Sequence, residues 1–365
     1  MTILITGGAG FIGTGLTAAL LEDTAEDIVV LDNLHPQVHG EHPIVPAVLN
    51  GPRIRFVRAD VTDAAAWDEL LADVSPRIVV HLAAETGTGQ SLLQASRHTD
   101  VNVNGTGVML DALARADQIP QRIILTSSRA VYGEGRWRDL TTGEYFYPAP
   151  RGAVQLAAGF WDALAPSGGG VEFTAHQADQ VEPRPSNVYA ATKLAQEHIL
   201  TSWCAALTVD LTVLRLQNVY GAGQAVGNPY TGVLTYFARE LNSARPILVF
   251  EGGGIARDFV HVSDVVRAIE AAIAAPVGDA RHQTFDIGAG TSGTLAHFAG
   301  ILASHVGADD PSITSDYRLG DVRAAYADIR AARDGLGYEP RITFEEGSRE
   351  LLTWVAAELA EAVTA

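Results

Sequence analysis

The chain has 365 residues, 47% of them hydrophobic and 36 of them glycine, which fits a globular protein with room for two compact units or one large α/β domain and an appended lobe. A net charge of −18 excludes the basic surface that nucleic acid or an anionic membrane requires, and a single cysteine, Cys204, excludes an internal disulfide or a cysteine metal cage. No window approaches the ~18 uncharged apolar residues of a membrane span, and the chain enters a strand-like run at once without a basic leader, so a cytoplasmic protein is expected.

Residues 2–6 read as a short apolar strand of the buried parallel type. They feed Gly7-Gly-Ala-Gly10-Phe11-Ile12-Gly13, after which Leu16, Ala19 and Leu20 continue a helical pattern. Glycine at 7, 10 and 13 lets backbone approach a pyrophosphate at the positive end of a helix; a plain glycine-rich turn is the alternative. A second strand, 28–31, ends on Asp32, 19 residues past Gly13. An acid placed there accepts ribose hydroxyls and repels a 2′-phosphate, which favours NAD over NADP. Asn33 follows it in the same wall. His35, His39 and His42 come next in a proline-containing loop with no acidic or cysteine partner at ligand spacing, so a solvated loop and no metal site are expected.

A third strand runs over 54–60 with Asp60 and then Val61 at its carboxyl end, a fourth over 78–84 with Leu82, Ala83 and Ala84, and a fifth over 122–128. Helical stretches lie near 64–73 and 92–117. Strand and helix in steady alternation predict a doubly wound parallel sheet, with a ligand across the strand ends where Gly10, Asp32, Asp60, Ala83 and Ser128 fall. Between 134 and 185 the pattern breaks into prolines, the run Gly168-Gly-Gly170 and scattered aromatics such as Trp137, Tyr145, Tyr147 and Trp161. A functional flap and a surface excursion are both open readings of that stretch.

Residues 187–206 form a predicted helix, with Ser186 as its N-cap. Within it Tyr189 is followed four positions later by Lys193, the only lysine in the chain; the other 24 strongly basic side chains are arginine. Residues i and i+4 share a helix face, so the ammonium should lie beside the phenol and lower its pKa from about 10. Such a phenolate can take a proton from an alcohol or sugar hydroxyl while hydride leaves the same carbon. An ordinary Tyr/Lys pair on a solvated face is the alternative. A sixth strand over 211–216 precedes a glycine-rich, arginine-dotted region, the expected substrate lobe. The expected division is a nucleotide-binding unit over 1–221, with the 134–185 insertion and a return segment at 258–280, and a lobe over 222–257 and 281–365.

These residues together resemble the extended short-chain dehydrogenase/reductase family, in particular its nucleotide-sugar epimerases and dehydratases. The likeness spans nearly the whole chain and rests on motifs in order: Thr6-Gly-Gly-Ala-Gly-Phe-Ile-Gly13, Asp60-Val61, His81-Leu-Ala-Ala84, Asn102-Val-Asn-Gly-Thr106, Ser127-Ser-Arg-Ala-Val-Tyr-Gly133, Tyr189-x-x-x-Lys193, Arg215-Leu-Gln-Asn-Val-Tyr-Gly221, Arg257-Asp-Phe-Val-His-Val262 and Gly320-Asp-Val-Arg323. The resemblance implies a doubly wound parallel Rossmann-type α/β fold with a smaller C-terminal substrate-binding lobe, NAD as cofactor, a nucleotide-diphosphate sugar as substrate and a homodimer built on helices near 92–117 and 189–206. It further implies that Ser128 hydrogen-bonds the reacting hydroxyl, that Tyr189 is base and acid, and that Lys193 holds the nicotinamide ribose and acidifies the phenol. Asp60 would meet the adenine, Asp32 its ribose, and Asn102 would also belong to the cofactor site. Asn218 and Arg257 match residues that hold the substrate's pyrophosphate, Arg318 and Asp321 match positions near the nucleoside, and Val249 would belong to the substrate site.

Two departures narrow the chemistry. Family dehydratases place Asp-Glu after the Ser/Thr, and decarboxylating members want a glutamate at the second position; here Arg129 and Ala130 stand there. The second departure is the Glu85-Thr86 loop together with the 134–185 insertion, both where the sugar should sit. With Ser-Arg-Ala-Val-Tyr-Gly-Glu, that loop most resembles members epimerising dTDP-6-deoxyhexoses such as dTDP-rhamnose at C4. The expected reaction is transient oxidation at C4 and hydride return to the opposite face. A 4-ketoreductase or dehydrogenase with net redox, and a non-catalytic NAD-binding sensor, are the rival readings.

Overall fold

The computed structural model describes residues 1–228, 232–278 and 281–364. Seven parallel strands form its main sheet: β1 (Thr2–Thr6), β2 (Asp27–Asp32), β3 (Ile54–Arg58), β4 (Pro76–His81), β5 (Arg122–Ser128), β6 (Asp210–Leu216) and β7 (His282–Ile287), in the spatial order β7-β6-β5-β4-β1-β2-β3. Strands β1, β2 and β4 read as near-continuous apolar runs because both faces are covered. Ile3, Ile5, Val30, Val80 and Ile124 pack into one core, while Leu4, Val29, Leu31, Val79 and Ile123 pack into the other. Helices α1 (Phe11–Asp23) and α5 (Val262–Ala274) cover the first face. Helices α2 (Ala64–Leu71), α3 (Gly105–Arg115) and α4 (Val188–Leu207) cover the second.

Strand β7 corrects the expected division of the chain. Residues 282–287 extend the sheet beside β6 instead of belonging to the lobe, and Ala327, Ile329, Ala332 and Tyr338 join the first core as well. The lobe has its own core, in which Phe237, Phe259, Phe298 and Leu351 bring together the helices Val233–Asn242, Leu295–His305 and Phe344–Thr364. The 134–185 stretch is ordered around a three-stranded antiparallel sheet, with Trp137–Asp139 between Tyr145–Phe146 and Val171–Phe173. Trp137 and Phe173 meet edge to face at 5.3 Å and bury against Ala324 of the lobe, so this insertion packs inward.

Two local features set up the site. The N-cap of α4 is Asn187, whose side chain accepts the Ala190 N–H at 2.9 Å, in place of the expected Ser186. Asp100–Asn104 is a single widened, π-type turn that leads into α3 and carries the buried Asn102.

Candidate active site

The carboxyl ends of β1, β2, β4 and β5 open into a cleft of about 1580 Å³ that continues to the lobe. That exceeds the ~300–1,000 Å³ of a pocket for one drug-sized ligand and suits two extended ones. Its first end is the turn from β1 into α1. Gly7 is left-handed (φ 69°), and a Cβ there would lie 2.6 Å from the Ala83 nitrogen; a Cβ on Gly13 would meet Gly8 Cα at 2.4 Å. No side chain caps α1 at Gly10, so the first-turn N–H groups at Phe11, Ile12 and Gly13 are left for an anion in the cleft.

Asp32 ties this turn to the next strand. Its carboxylate accepts the Ala9 N–H at 3.0 Å and the Leu34 N–H at 2.8 Å and still lines the cleft. Asp60 accepts from the Asn33 amide at 2.7 Å and from the Thr62 hydroxyl at 2.8 Å, bonds that hold its carboxyl below the ordinary range against the opposing effect of burial. His39 Nε2 stands 3.9 Å from Asp32, and burial lowers its pKa, so this imidazole is a poor fixed cation for a 2′-phosphate. A bare helix end beside two carboxylates fits the pyrophosphate and ribose hydroxyls of NAD. His35 and His39 line this wall, which corrects the expectation of a wholly solvated loop. The available signal was their position straight after a β2 strand that ends on Asp32.

The central wall carries the reactive groups. Ser128 ends β5, its Oγ accepts the Ala130 N–H at 3.1 Å, and its hydroxyl shares the cleft wall with the Tyr189 phenol. Burial raises the phenol's pKa, opposed by the Ser128 hydroxyl and the Arg129 guanidinium. Lys193 is placed differently from expectation. It is 3% exposed, and its Nζ donates to Gln196 Oε1 at 2.9 Å, with no bond to the phenol. The Gln196 amide in turn donates to Thr106 at 2.9 Å and contacts His81 at 3.2 Å, so a buried polar pocket one turn along α4 draws the ammonium inward. Burial pushes Lys193 down to about 8. Asn102 also departs from expectation: it lies behind the cleft wall, where its amide accepts the Glu85 N–H at 2.7 Å and donates to the Glu85 carbonyl at 3.0 Å and to Thr192 at 2.9 Å. It thereby frames the Glu85-Thr86 loop, whose carboxylate is paired with Arg97 at 2.6 Å.

Toward the lobe, Arg129 Nε donates to Asn218 Oδ1 at 2.9 Å. The Arg257 guanidinium donates to the carbonyls of Ala256 and Val322, both at 2.8 Å. Among the described residues neither guanidinium has a carboxylate hydrogen-bond partner. Burial lowers Arg129, and burial together with the neighbouring Arg129 charge brings Arg257 down to about 9, with Asp321 opposing at both. Two cations on the cleft wall, one buried and one half-buried and neither in a carboxylate hydrogen bond, are a natural seat for a phosphate dianion. Val249, Arg318 and Asp321 line the far end, where Arg318 lies 5.4 Å from the Phe250 ring centre. Phe250 gave no sequence signal. Apart from Lys193 and Asn102, every residue expected at the site lines this one cleft.

Comparison with known proteins adds a family and relatives. The model of the NAD dependent epimerase/dehydratase family matches residues 3–153 and 163–288. The chain is 46% identical over 357 residues to a dTDP-L-rhamnose 4-epimerase of Burkholderia thailandensis, covering 98% of this chain and 95% of that one. It is 30% identical to a UDP-glucose 4-epimerase of Mycolicibacterium smegmatis, over 95% of this chain and 96% of that one. A crystal structure of UDP-glucose 4-epimerase from Thermotoga maritima with UDP-glucose superposes with a TM-score of 0.78 at 26% identity, covering 98% of this chain and all of that one.

Proposed function

We propose C4 epimerisation of a dTDP-linked 6-deoxyhexose, such as dTDP-L-rhamnose, for this chain, which belongs to the NAD dependent epimerase/dehydratase family. Its cofactor is NAD, which supplies reversible hydride acceptance at the nicotinamide. Gly7, Gly10, Phe11, Ile12 and Gly13 would hold the cofactor's pyrophosphate, Asp32 and Asn33 the adenosine ribose, and Asp60 and Val61 the adenine. Leu82, Ala83 and Ala84 would wall its path toward the centre.

One observation carries the reading. The Ser128–Tyr189 pair has Arg129 and Ala130 beside it, so the site offers a phenol for proton transfer and no carboxylate at the positions that elimination or decarboxylation would use. Ser128 orients the C4 hydroxyl; Tyr189 takes its proton and later returns one to the 4-keto oxygen after the sugar has turned over. Arg129, Asn218 and Arg257 keep hold of the pyrophosphate through that turn, and Val249, Arg318 and Asp321 keep hold of the nucleoside. Glu85 and Thr86 face the sugar. Lys193 would act through the nicotinamide ribose, exchanging its bond to Gln196 for one to the cofactor. Supporting features for the remainder are family likeness for a homodimer and the lone buried cysteine for a cytoplasmic setting; no helix of the described residues is long and apolar enough to cross a membrane.

The test is to denature the purified protein, identify the released cofactor, and assay dTDP- and UDP-hexoses without added reductant. A C4 epimer formed with no net NADH supports the reading. Stoichiometric NADH change identifies a net redox enzyme, and failure of every sugar nucleotide to shift thermal stability identifies a sensor.

A further inference from the structure

We propose that Arg151, carried by the 134–185 insertion, is a positioning residue for the nucleotide-sugar site: it fixes the peptide segment on which Arg257 rests. This deepens the reading above and rests on Arg257 as a pyrophosphate ligand.

Arg151 is buried, and all five of its N–H donors are used. Nε reaches Glu134 at 3.4 Å; Nη1 donates to the Trp161 carbonyl at 2.8 Å and to Glu251 at 2.6 Å; Nη2 donates to Glu251 at 3.3 Å and to the Asp321 carbonyl at 2.5 Å. The next carbonyl along, that of Val322, receives Arg257 at 2.8 Å. Two arginines thus hold consecutive peptides from opposite sides, one inside the insertion and one in the cleft. Beyond them Ala324–Ala325 pair in register with Ala256–Arg257, so a shift of residues 321–322 carries the Arg257 strand with it.

The other end of the brace is also set under load. Glu251, Arg151's main partner, has φ 53°, a left-handed conformation that a glutamate keeps only when its surroundings hold it there. Arg323 reinforces the same arm through the Glu251 carbonyl at 3.2 Å and through Asp162 of the insertion at 2.8 Å. The base of the insertion is bonded to the lobe side as well, where His176 and Tyr326 share a hydrogen bond at 2.8 Å. A surface excursion would leave the cleft indifferent to it; a brace would not.

The discriminating variant is Arg151→Lys in the holoenzyme. Lysine keeps a cation between Glu134 and Glu251, so the buried carboxylates stay compensated, but its three donors radiate from one point and cannot span the four groups that the fork reaches. Binding of dTDP by calorimetry, steady-state epimerisation and bound NAD by absorbance are measured on it, on Arg257→Lys and on the double variant. The expected result is a dTDP Kd and a sugar-nucleotide KM raised roughly tenfold with kcat changed less than about threefold and NAD content unchanged. The double variant should bind dTDP no more weakly than Arg257→Lys alone, because the two residues act through one contact. Wild-type dTDP affinity in Arg151→Lys, or additive losses in the double variant, overturns the inference while leaving the reading of Arg257 intact. An Arg257→Lys protein with unchanged dTDP affinity removes that reading itself. Should Arg151→Lys not fold, Asp162→Ala loosens the same arm from an exposed position, and a weakened dTDP affinity is expected there too; no change counts against the brace.

Discussion

Tyr189→Phe separates the chemistry from the fold. The ring sits edge-on to His98 at 6.5 Å, a contact that phenylalanine keeps, and α4 retains its Asn187 cap. What is lost is one polar hydroxyl beside Ser128, worth at most about 0.5–1.5 kcal/mol of stability. The same oxygen carries the proton transfer, worth about 10²–10⁴ in rate, or about 3–5 kcal/mol of barrier at 1.36 kcal/mol per tenfold. Stability and turnover should therefore part company: a small fall in thermal midpoint, full NAD occupancy, and kcat lower by about two orders of magnitude or more. The assay is NMR of the C4 epimers formed from dTDP-L-rhamnose, run beside cofactor release on denaturation. Turnover within a few-fold of wild type would refute the assignment of Tyr189.

Further outcomes follow from the neighbours of that phenol. Lys193 titrates near 8 against an ordinary 10.5, so its ammonium is lost as pH rises through about 8, and kcat should decline above that point along a limb absent from Lys193→Met. The linkage runs in a definite direction: folding sheds this proton between about 8 and 10.5, so in cofactor-stripped protein the stability of wild type relative to Lys193→Met should rise across that window. The gap between about 8 and the ordinary 10.5 sets the rise at no more than about 3.4 kcal/mol, and a difference that stays flat with pH contradicts the placement of the ammonium. Gln37 and Gln90 exchange two amide hydrogen bonds, at 2.9 and 2.8 Å, that join the 35–39 and 86–91 segments lining the cofactor end of the cleft. Gln90→Ala should release NAD roughly ten times faster, as loss of two such bonds implies, measured by exchange of labelled NAD; an unchanged rate shows that the pair does not retain the cofactor.

The sequence was informative where local chemistry and global fold agree. Arg122–Ser128 was legible to the residue because six of its seven positions are buried, with no in-out alternation to blur it. The Gly7–Gly13 turn was legible because only glycine tolerates 2.4–2.6 Å to neighbouring backbone. Strand β7 escaped because it lies at the sheet edge, and His282 to Thr284 are polar and partly exposed, which hides the apolar signal. Helical spacing put Lys193 on the Tyr189 face but said nothing of Gln196, which competes for the ammonium. Arg151 was invisible for a related reason: its partners at 134, 161, 251 and 321 are joined only by the fold.

The central claim is that hydrogen leaves C4 of the sugar and returns to the same carbon within one binding event, with Tyr189 moving the proton. Turnover of dTDP-L-rhamnose labelled with deuterium at C4 measures this directly. The expected product is a C4 epimer that keeps its deuterium, with no accumulation of NADH. Washout of the label into water, or NADH formed in step with product, would contradict it.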